Sequence, residues 1–271
     1  MSGTRSHSAD RSPHLFCFGL GYSALALARR LTASGWAVTG TCRSAEREAR
    51  LRAAGFSAVF FDRDRPVNAA ALDGITHLLV SVPPEAAGDP VLAMHGHDIA
   101  AMRGLCWLGY LSTTGVYGDR GGGWVGETAA LLPTGERGRR RVAAEEGWLD
   151  LWRGHGVPVH IFRLAAIYGP GRSAFDALRT GTAIRIDKPG QVFSRIHVED
   201  LANVLIASIE RPRPVRSTMS ATTIRRRPRR SLLTPPSFSG SSSHRSWCSR
   251  PPGCRRWRAA FTTTTSASRT A

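Results

Sequence analysis

The chain has 271 residues, enough for one large α/β domain or for a domain with a small additional lobe. Its formal net charge of +17 would suit a nucleic-acid-binding protein, but fourteen arginines and no acidic residue follow Glu210. Residues 1–210 therefore carry a net charge of only about +3, and we expect no nucleic-acid partner for the globular part.

The five cysteines show neither paired nor metal-ligand spacing, so we interpret them as reduced side chains and expect no metal site. Residues 1–13 are polar and resemble a disordered tail rather than a signal peptide. No apolar run approaches the length of a membrane span. These features predict a cytoplasmic protein with no membrane partner.

The first regular stretch of the chain combines an apolar run, a glycine turn and a helical pattern. Residues 15–18 predict a strand, and the helix follows the spacing Gly19-x-Gly21-x-x-Ala24. In a dinucleotide-binding turn, the first glycine permits the turn and the second lets a phosphate approach the backbone. The third small residue lets the helix pack on the strand. The alternative is an ordinary strand-to-helix turn that contains two glycines.

A second strand over residues 36–41 leads to Arg43, and a helix follows near residues 45–54. An acidic residue usually stands at the place of Arg43 and holds the adenosine ribose hydroxyls. A cation there accommodates a 2′-phosphate, which favours NADP(H) over NAD(H), unless Arg43 is only a solvated charge at the end of the strand. Asp62 follows a third strand and is either an adenine contact or a turn former.

The remaining pattern alternates strands with helices. Strands are predicted at residues 76–82, 105–111 and 158–163, with helices near residues 90–102 and 137–152. This alternation predicts an α/β fold with a doubly wound parallel sheet, the Rossmann fold. The expected cofactor-binding residues are Gly19, Gly21, Tyr22, Ser23, Ala24, Arg43, Ser44, Asp62, Ser81, Val82 and Pro83.

Four stretches resemble the extended short-chain dehydrogenase/reductase superfamily, the NAD(P)-dependent epimerase/dehydratase group. They are GLGYSA at 19–24, LSTTGVYG at 111–118, RLAAIYGPGR at 163–172 and FSRIHVEDLA at 193–202. The resemblance covers about residues 14–214 and implies an NAD(P)-binding Rossmann domain at 14–170 with part of a substrate lobe at 171–214. It implies an oxidoreductase or epimerase that acts on a sugar-nucleotide-like or other small carbonyl or hydroxyl substrate.

The resemblance also points to catalytic residues, with one departure. Thr113, beside Ser112, matches the Ser/Thr that hydrogen-bonds the substrate, whereas Arg137 and Arg141 stand in place of the superfamily's tyrosine and lysine. A guanidinium stays protonated and cannot be a general acid or base, although Arg141 could grip the nicotinamide ribose or a substrate anion. Tyr117 is the nearest other proton carrier by sequence, but its position in the superfamily is usually structural.

Two questions stay open: which residues bind the substrate, and whether the protein is catalytic at all. Arg172 and Arg195 match residues that line the substrate side, so each holds an anionic substrate or is a solvated charge. His197 is expected to be a packing residue, with Glu199 or Asp200 capping the next helix. The missing tyrosine also allows a non-catalytic NAD(P)-binding sensor or regulator. The oligomeric state stays open, with a homodimer as one option.

Residues 215–271 differ in character, because they are rich in Ser, Thr, Pro and Arg and contain no acid. This composition is typical of a disordered basic tail. We favour a shift of reading frame near Pro214 instead. If each codon takes the last base of one present codon and the first two of the next, residues 215–224 can read Gly-Ala-Val-Tyr-Asn-Val-Cys-Asp-Asp-Asp. That resembles the strand after the HVED helix in this superfamily, and it would make the substrate lobe of this chain incomplete.

Overall fold

The computed structural model describes residues 13–184, 192–214, 217–220 and 222–226, the last two segments as backbone strands. The expected disorder of residues 1–12 and of most of the region after Pro214 lies outside these residues. The helices are α1 (Tyr22–Ala33), α2 (Ala45–Ala53), α3 (Pro90–Ala101), α4 (Glu136–His155), α5 (Ala174–Arg179) and α6 (Val198–Glu210). Short 3₁₀ turns cover Ala69–Leu72 and Thr114–Tyr117.

The strands form two sheets. They are β1 (His14–Phe18), β2 (Ala37–Cys42), β3 (Ser57–Phe60), β4 (His77–Val80), β5 (Trp107–Thr113), β6 (Val159–Leu164), β7 (Ala166–Tyr168), β8 (Phe193–His197), β9 (Ser217–Ser220) and β10 (Thr222–Arg226). The main sheet has the order β3-β2-β1-β4-β5-β6-β9, and each neighbouring pair is parallel. A smaller sheet has the order β10-β8-β7. The predicted doubly wound α/β fold is confirmed.

Both faces of the main sheet are covered by helices, which explains the apolar runs in its strands. In β1, Leu15 and Cys17 pack toward α1 and α6, whereas Phe16 and Phe18 pack toward α3 and α4. Successive side chains of a strand point to opposite faces, so one continuous apolar run serves two cores. The burial of Cys17 raises the pKa of its thiol and makes it a filler rather than a nucleophile.

The amino ends of the central strands carry a group of histidines packed among aromatic rings. His77 lies between Trp36 and Trp107, at 4.6 and 6.5 Å between ring centroids, and His160 stacks on Trp107 at 5.8 Å. Burial lowers the pKa of His77 to about 4 and also lowers the pKa of His160 and of His14. These rings lie at the amino edge of the sheet and act in packing.

The chain reverses its winding between β1 and β4. From β1 it proceeds outward through β2 and β3, then returns to place β4 on the other side of β1. In such sheets a crevice opens outside the carboxyl ends of the two strands at this switch point, and ligands bind there. The carboxyl ends of β1 and β4 lead directly into Gly19 and Ser81.

Candidate functional site

The glycine turn after β1 is held by β2 and by the residue that follows β4. The N–H groups of Gly19 and Leu20 donate to the hydroxyl and the carbonyl of Thr41, at 2.7 and 2.9 Å, and the Ser81 hydroxyl donates to the Gly19 carbonyl. Gly19 has a φ of +87°, and a Cβ there would lie 2.8 Å from the Ser81 Oγ. Only glycine therefore fits at position 19.

The N-terminus of α1, which follows this turn, lies at the crevice and has no side-chain cap. Gly21 is the N-cap of α1, no side chain caps the helix, and its first turn contains no acidic residue. Each of the other described helices has a side-chain cap or an acidic residue in its first turn. A Cβ on Gly21 would meet nothing within 4 Å. Free N–H groups, a positive helix end and open space together fit a phosphate group.

A cleft of about 310 Å³ opens beside this helix end. Seven of the predicted cofactor residues line it: Gly19, Gly21, Arg43, Asp62, Ser81, Val82 and Pro83. The other four have different placements. Tyr22 and Ser23 begin α1, Ala24 is buried in the core, and the Ser44 hydroxyl accepts the N–H of Arg47 as the cap of α2.

One wall of the cleft carries positive charge that no described carboxylate neutralises. Arg43 is exposed and makes no ion pair with a described residue, and Arg47 donates to the Leu20 carbonyl at 3.0 Å. By contrast, Arg63 pairs with Glu85 at 3.1 Å. Sequence reasoning missed Arg47, which lies in the first turn of α2 and lines the same cleft as Arg43.

Asp62 is a turn former, and its suggested contact with adenine stays a prediction. Its carboxylate accepts the N–H of Asp64 at 3.0 Å, which makes it a turn former, and it also lines the cleft. Its place in the cleft leaves the adenine contact open as a second role.

The last two residues of β5, Ser112 and Thr113, lie next to α4, and we call this pair the shelf. The strand runs on to Thr113, two residues beyond its predicted end, so Ser112 and Thr113 both belong to it. Thr113 is half-buried, and its Oγ1 accepts the N–H of Gly115 at 3.2 Å. Ser112 is buried and donates its hydroxyl hydrogen to Glu145 of α4. Of the two hydroxyls, Thr113 is the more accessible to a ligand.

Tyr117 lies in a buried polar network beneath this shelf. Its side chain is 2% exposed, and its hydroxyl accepts a hydrogen bond from Arg163 at 2.9 Å and donates to the Glu127 carbonyl at 3.4 Å. Arg163 is in turn paired with Glu145. This placement favours the structural alternative for Tyr117 over a role in proton transfer. The sequence did not predict this ion pair between Arg163 and Glu145.

Arg141 reaches back from α4 to β5. Its Nη1 donates to the Leu111 carbonyl and to the Tyr110 hydroxyl, the latter at 3.2 Å. Burial raises the pKa of Tyr110, and the Arg141 charge offsets this only in part, so Tyr110 is a poor proton donor. Arg137, in the tyrosine's place, is exposed.

The two arginines expected on the substrate side have different surroundings. The Arg172 guanidinium lies 4.6 Å above the ring of Tyr22, whereas Arg195 is exposed on β8. Near them, His197 caps α6, with its Nδ1 accepting the N–H of Glu199 at 3.3 Å. The expectation that Glu199 or Asp200 would be the cap was wrong, because both lie inside the first helical turn.

The described residues contain no group of three or more His, Cys, Asp or Glu side chains that could hold a metal ion. Within the same part of the chain, no helix is both long enough and apolar enough to cross a membrane.

Several solved structures share this architecture. A functionally unknown conserved protein from Silicibacter pomeroyi is 48% identical over 78% of this chain and 72% of its own, with a TM-score of 0.70. A protein from Methylobacillus flagellatus, provisionally described as an NAD-dependent epimerase/dehydratase, is 27% identical over 80% and 77%, with a TM-score of 0.61. UDP-glucuronic acid 4-epimerase from Bacillus cereus, solved with NAD, is 16% identical over 79% of each chain, with a TM-score of 0.64.

The chain thus shares its fold with NAD-dependent epimerases and dehydratases, which is consistent with the extended short-chain dehydrogenase/reductase superfamily. No protein-family model matches the sequence, and neither does any protein of curated function. This shared fold accounts for the switch-point crevice and the glycine turn. The roles of Thr113, Ser112, Arg141 and Tyr117 in this chain stay predictions.

Proposed function

We propose that the protein binds NADP(H), with NAD(H) as the weaker alternative, and acts as an oxidoreductase or epimerase on a sugar-nucleotide-like or other small carbonyl or hydroxyl substrate. The observation that carries this proposal is the uncapped N-terminus of α1, which opens into the cleft at the switch point. The fold is shared with a UDP-glucuronic acid 4-epimerase and a dTDP-glucose 4,6-dehydratase, both solved in complex with NAD, which supports a dinucleotide at this place.

The residues present fit such a cofactor. Gly21 and the first turn of α1 would receive the pyrophosphate, because their N–H groups are uncapped and a side chain is missing where the phosphate would lie. Arg43 would receive the 2′-phosphate of NADP(H), with Arg47 adding positive charge from the same wall. Ser81, Val82 and Pro83 would border the pyrophosphate and the nicotinamide.

The chemistry of the substrate would depend on the shelf at the end of β5. When bound, the nicotinamide ring supplies a hydride donor or acceptor. The half-buried Thr113 hydroxyl is suited to hydrogen-bond a substrate carbonyl or hydroxyl. Arg141 uses only Nη1 in its hydrogen bonds with described residues, so Nη2 and Nε are available to hydrogen-bond the nicotinamide ribose or a substrate anion. Arg172 and Arg195 remain candidates for binding an anionic substrate.

A specific observation favours a second function, a cofactor-binding sensor that performs no reaction. The tyrosine's place is taken by an exposed Arg137, and the hydroxyl of the nearest candidate, Tyr117, is already bonded to Arg163 and to the Glu127 carbonyl. An arginine cannot exchange a proton at neutral pH, so Arg137 cannot replace the tyrosine as general acid or base, and the bonds of Tyr117 favour a structural role for it.

Titration of the purified chain with NADPH and NADH tests the shared part of both functions. Nicotinamide absorbance together with chromatographic analysis of the products, followed with a panel of sugar nucleotides and small carbonyl compounds, then separates them, because an epimerase leaves the net absorbance unchanged. Turnover of a panel member supports the enzyme, and cofactor binding without turnover supports the sensor. Failure to bind either dinucleotide would overturn both proposals.

A further inference from the structure

Tyr22 links the cofactor turn to the loop that carries Arg172. Tyr22 is the first residue of α1, and its hydroxyl donates to the Pro170 carbonyl at 3.0 Å. The loop closes on itself through the Arg172 N–H, which donates to the Gly169 carbonyl at 2.9 Å. The segment after β7 is therefore anchored on the head of α1.

Gly169 makes this contact possible. A Cβ on Gly169 would lie 2.6 Å from the Tyr22 hydroxyl oxygen and 2.8 Å from Val198 Cγ1, and the residue has a φ of +152°. A larger residue there would force either the loop or the side chains of Tyr22 and Val198 to move. The close approach brings the Arg172 guanidinium over the Tyr22 ring, with the guanidinium carbon 4.6 Å from the ring centroid.

The charge of Arg172 is held at this place without being neutralised. Arg172 is exposed and makes no ion pair with any described carboxylate. A guanidinium that stacks through its face keeps its edge donors free, in a planar fork that matches phosphate oxygens. The adjacent helix end is also positive, and neither a side-chain cap nor an acidic residue offsets it. The Arg172 guanidinium and the positive N-terminus of α1 therefore repel each other, and an anion bound between them would relieve this repulsion.

We infer that Arg172 is a phosphate-binding residue of the dinucleotide site and that Tyr22 positions it there. The inference rests on the proposed dinucleotide binding at α1 and changes the expected role of Arg172, which the resemblance assigns to the substrate side. The phosphate is that of the cofactor, because Arg172 is stacked on the first residue of the cofactor helix. A sugar-nucleotide substrate carries the same chemical group, so the experiment must distinguish the two sources.

Binding measurements on the full chain, without substrate, test the role of Arg172. Replacing Arg172 with Gln should weaken the binding of NADPH and of ADP about tenfold, because a charge-assisted bond to phosphate is lost. The salt dependence of both dissociation constants should also fall. Arg179→Gln is the matched control, because Arg179 lies on nearby α5 and pairs with Asp176 at 3.5 Å. This control should bind both ligands as the parent does.

A dissociation constant for NADPH that Arg172→Gln leaves unchanged would overturn the inference while leaving the proposed function intact. The same holds if Arg172→Gln weakens only the binding of a sugar nucleotide such as UDP-glucose, since the phosphate would then be the substrate's. If the parent chain binds neither NADPH nor NADH, the proposed function fails first and the inference fails with it.

A double-mutant cycle tests Tyr22 as a positioning residue. Tyr22→Leu should weaken NADPH binding in the parent by about threefold or more and have no further effect in the Arg172→Gln background. Tyr22→Phe keeps the stacked ring and should retain most of the affinity. Equal losses from Tyr22→Leu in both backgrounds would show that Tyr22 acts on the fold of the turn rather than through Arg172.

Discussion

The guanidinium of Arg163 contacts both carboxylate oxygens of Glu145, with Nη2 2.8 Å from Oε2 and Nε 3.3 Å from Oε1. Both side chains are buried, at 7% and 2% exposure. Burial alone would lower the pKa of Arg163, but hydrogen bonds with Glu145 and Tyr117 raise it, so the guanidinium stays charged. Because Ser112 donates to the same carboxylate, one ion pair joins α4 to β5 and β6 beneath the proposed catalytic shelf.

Glu145→Gln should lower the free energy of unfolding by about 3 kcal/mol, because the Arg163 charge is left buried without its partner. The midpoint of urea denaturation measures the change. Glu146→Gln is the matched control, since Glu146 is an exposed neighbour that pairs with Arg153, and it should cost less than about 1 kcal/mol. If the two substitutions cost the same, the buried pair does not hold the shelf.

Gly21→Ala should leave stability close to that of the parent and weaken NADPH binding about tenfold or more. The added methyl group meets no protein atom within 4 Å and so occupies the space proposed for the pyrophosphate. Thermal unfolding and cofactor titration measure the two effects. Gly135→Ala is a close control, because Gly135 is also an N-cap with open space around its Cβ, on α4. Unchanged NADPH affinity in Gly21→Ala would place the phosphates elsewhere.

Arg43→Gln should raise the dissociation constant for NADPH about tenfold and change that for NADH much less, because only NADPH carries the 2′-phosphate. Titration with both cofactors gives the ratio. Arg50→Gln on the exposed side of α2, where Arg50 pairs with Glu46, should leave both constants unchanged. An equal loss for both cofactors would mean that Arg43 does not select between them.

Stability should fall as the pH drops from 6.5 toward 4. The folded pKa of His77, about 4, lies below its ordinary value, so the unfolded chain binds more protons in this window. His14 and His160 shift in the same direction. After a discount for its partial exposure, His77 should account for about 1 kcal/mol between pH 7.5 and pH 5.

Urea denaturation at both pH values measures this dependence on pH. His77→Gln should flatten it, whereas the exposed control His97→Gln should leave it as in the parent. If His77→Gln leaves the slope unchanged, the acid sensitivity arises elsewhere in the chain.

The strand β9 connects the fold to the proposed shift of reading frame. It lies parallel to β6, with Ser217 opposite Ile161 and Ser220 opposite Leu164. In the alternative frame these four positions read Val-Tyr-Asn-Val, which suits a parallel strand covered on both faces better than Ser-Thr-Met-Ser. We expect sequencing of the locus to find the shift near codon 214, and a clean, uninterrupted frame there would remove the proposal.

The apolar side chains of the lobe offer a second measurement of the same proposal. Phe175 is 72% exposed and Ile184 is 85% exposed. A chain translated in the restored frame should cover them, and it should bind less of a hydrophobic dye and aggregate less than the present chain. Equal dye binding by both chains would count against a missing lobe.

The sequence predicts those parts of the protein that follow from local pattern. The glycine turn, the β-α alternation and the carboxyl-end residues Arg43 and Ser81 could be identified because each depends on neighbours in the chain. The pairing of Glu145 with Arg163 could not, because it depends on which face of α4 meets β6. The stacking of Arg172 on Tyr22 joins residues 150 positions apart. The cap of α6 was misassigned because His197 is an uncommon N-cap, and carboxylates inside the first turn resemble one by sequence.

Thr41 holds the glycine turn in place, because its hydroxyl and its carbonyl accept hydrogen bonds from Gly19 and Leu20. Arg43 follows two residues later, just after the end of the same strand. The anchor and the residue proposed to discriminate between cofactors are thus neighbours that perform separate tasks. A single substitution of Arg43 could therefore change the preference between NADP(H) and NAD(H) without disturbing the glycine turn, provided that Thr41 is retained. An engineer who grafts a longer segment of β2 from a relative should retain Thr41 for the same reason.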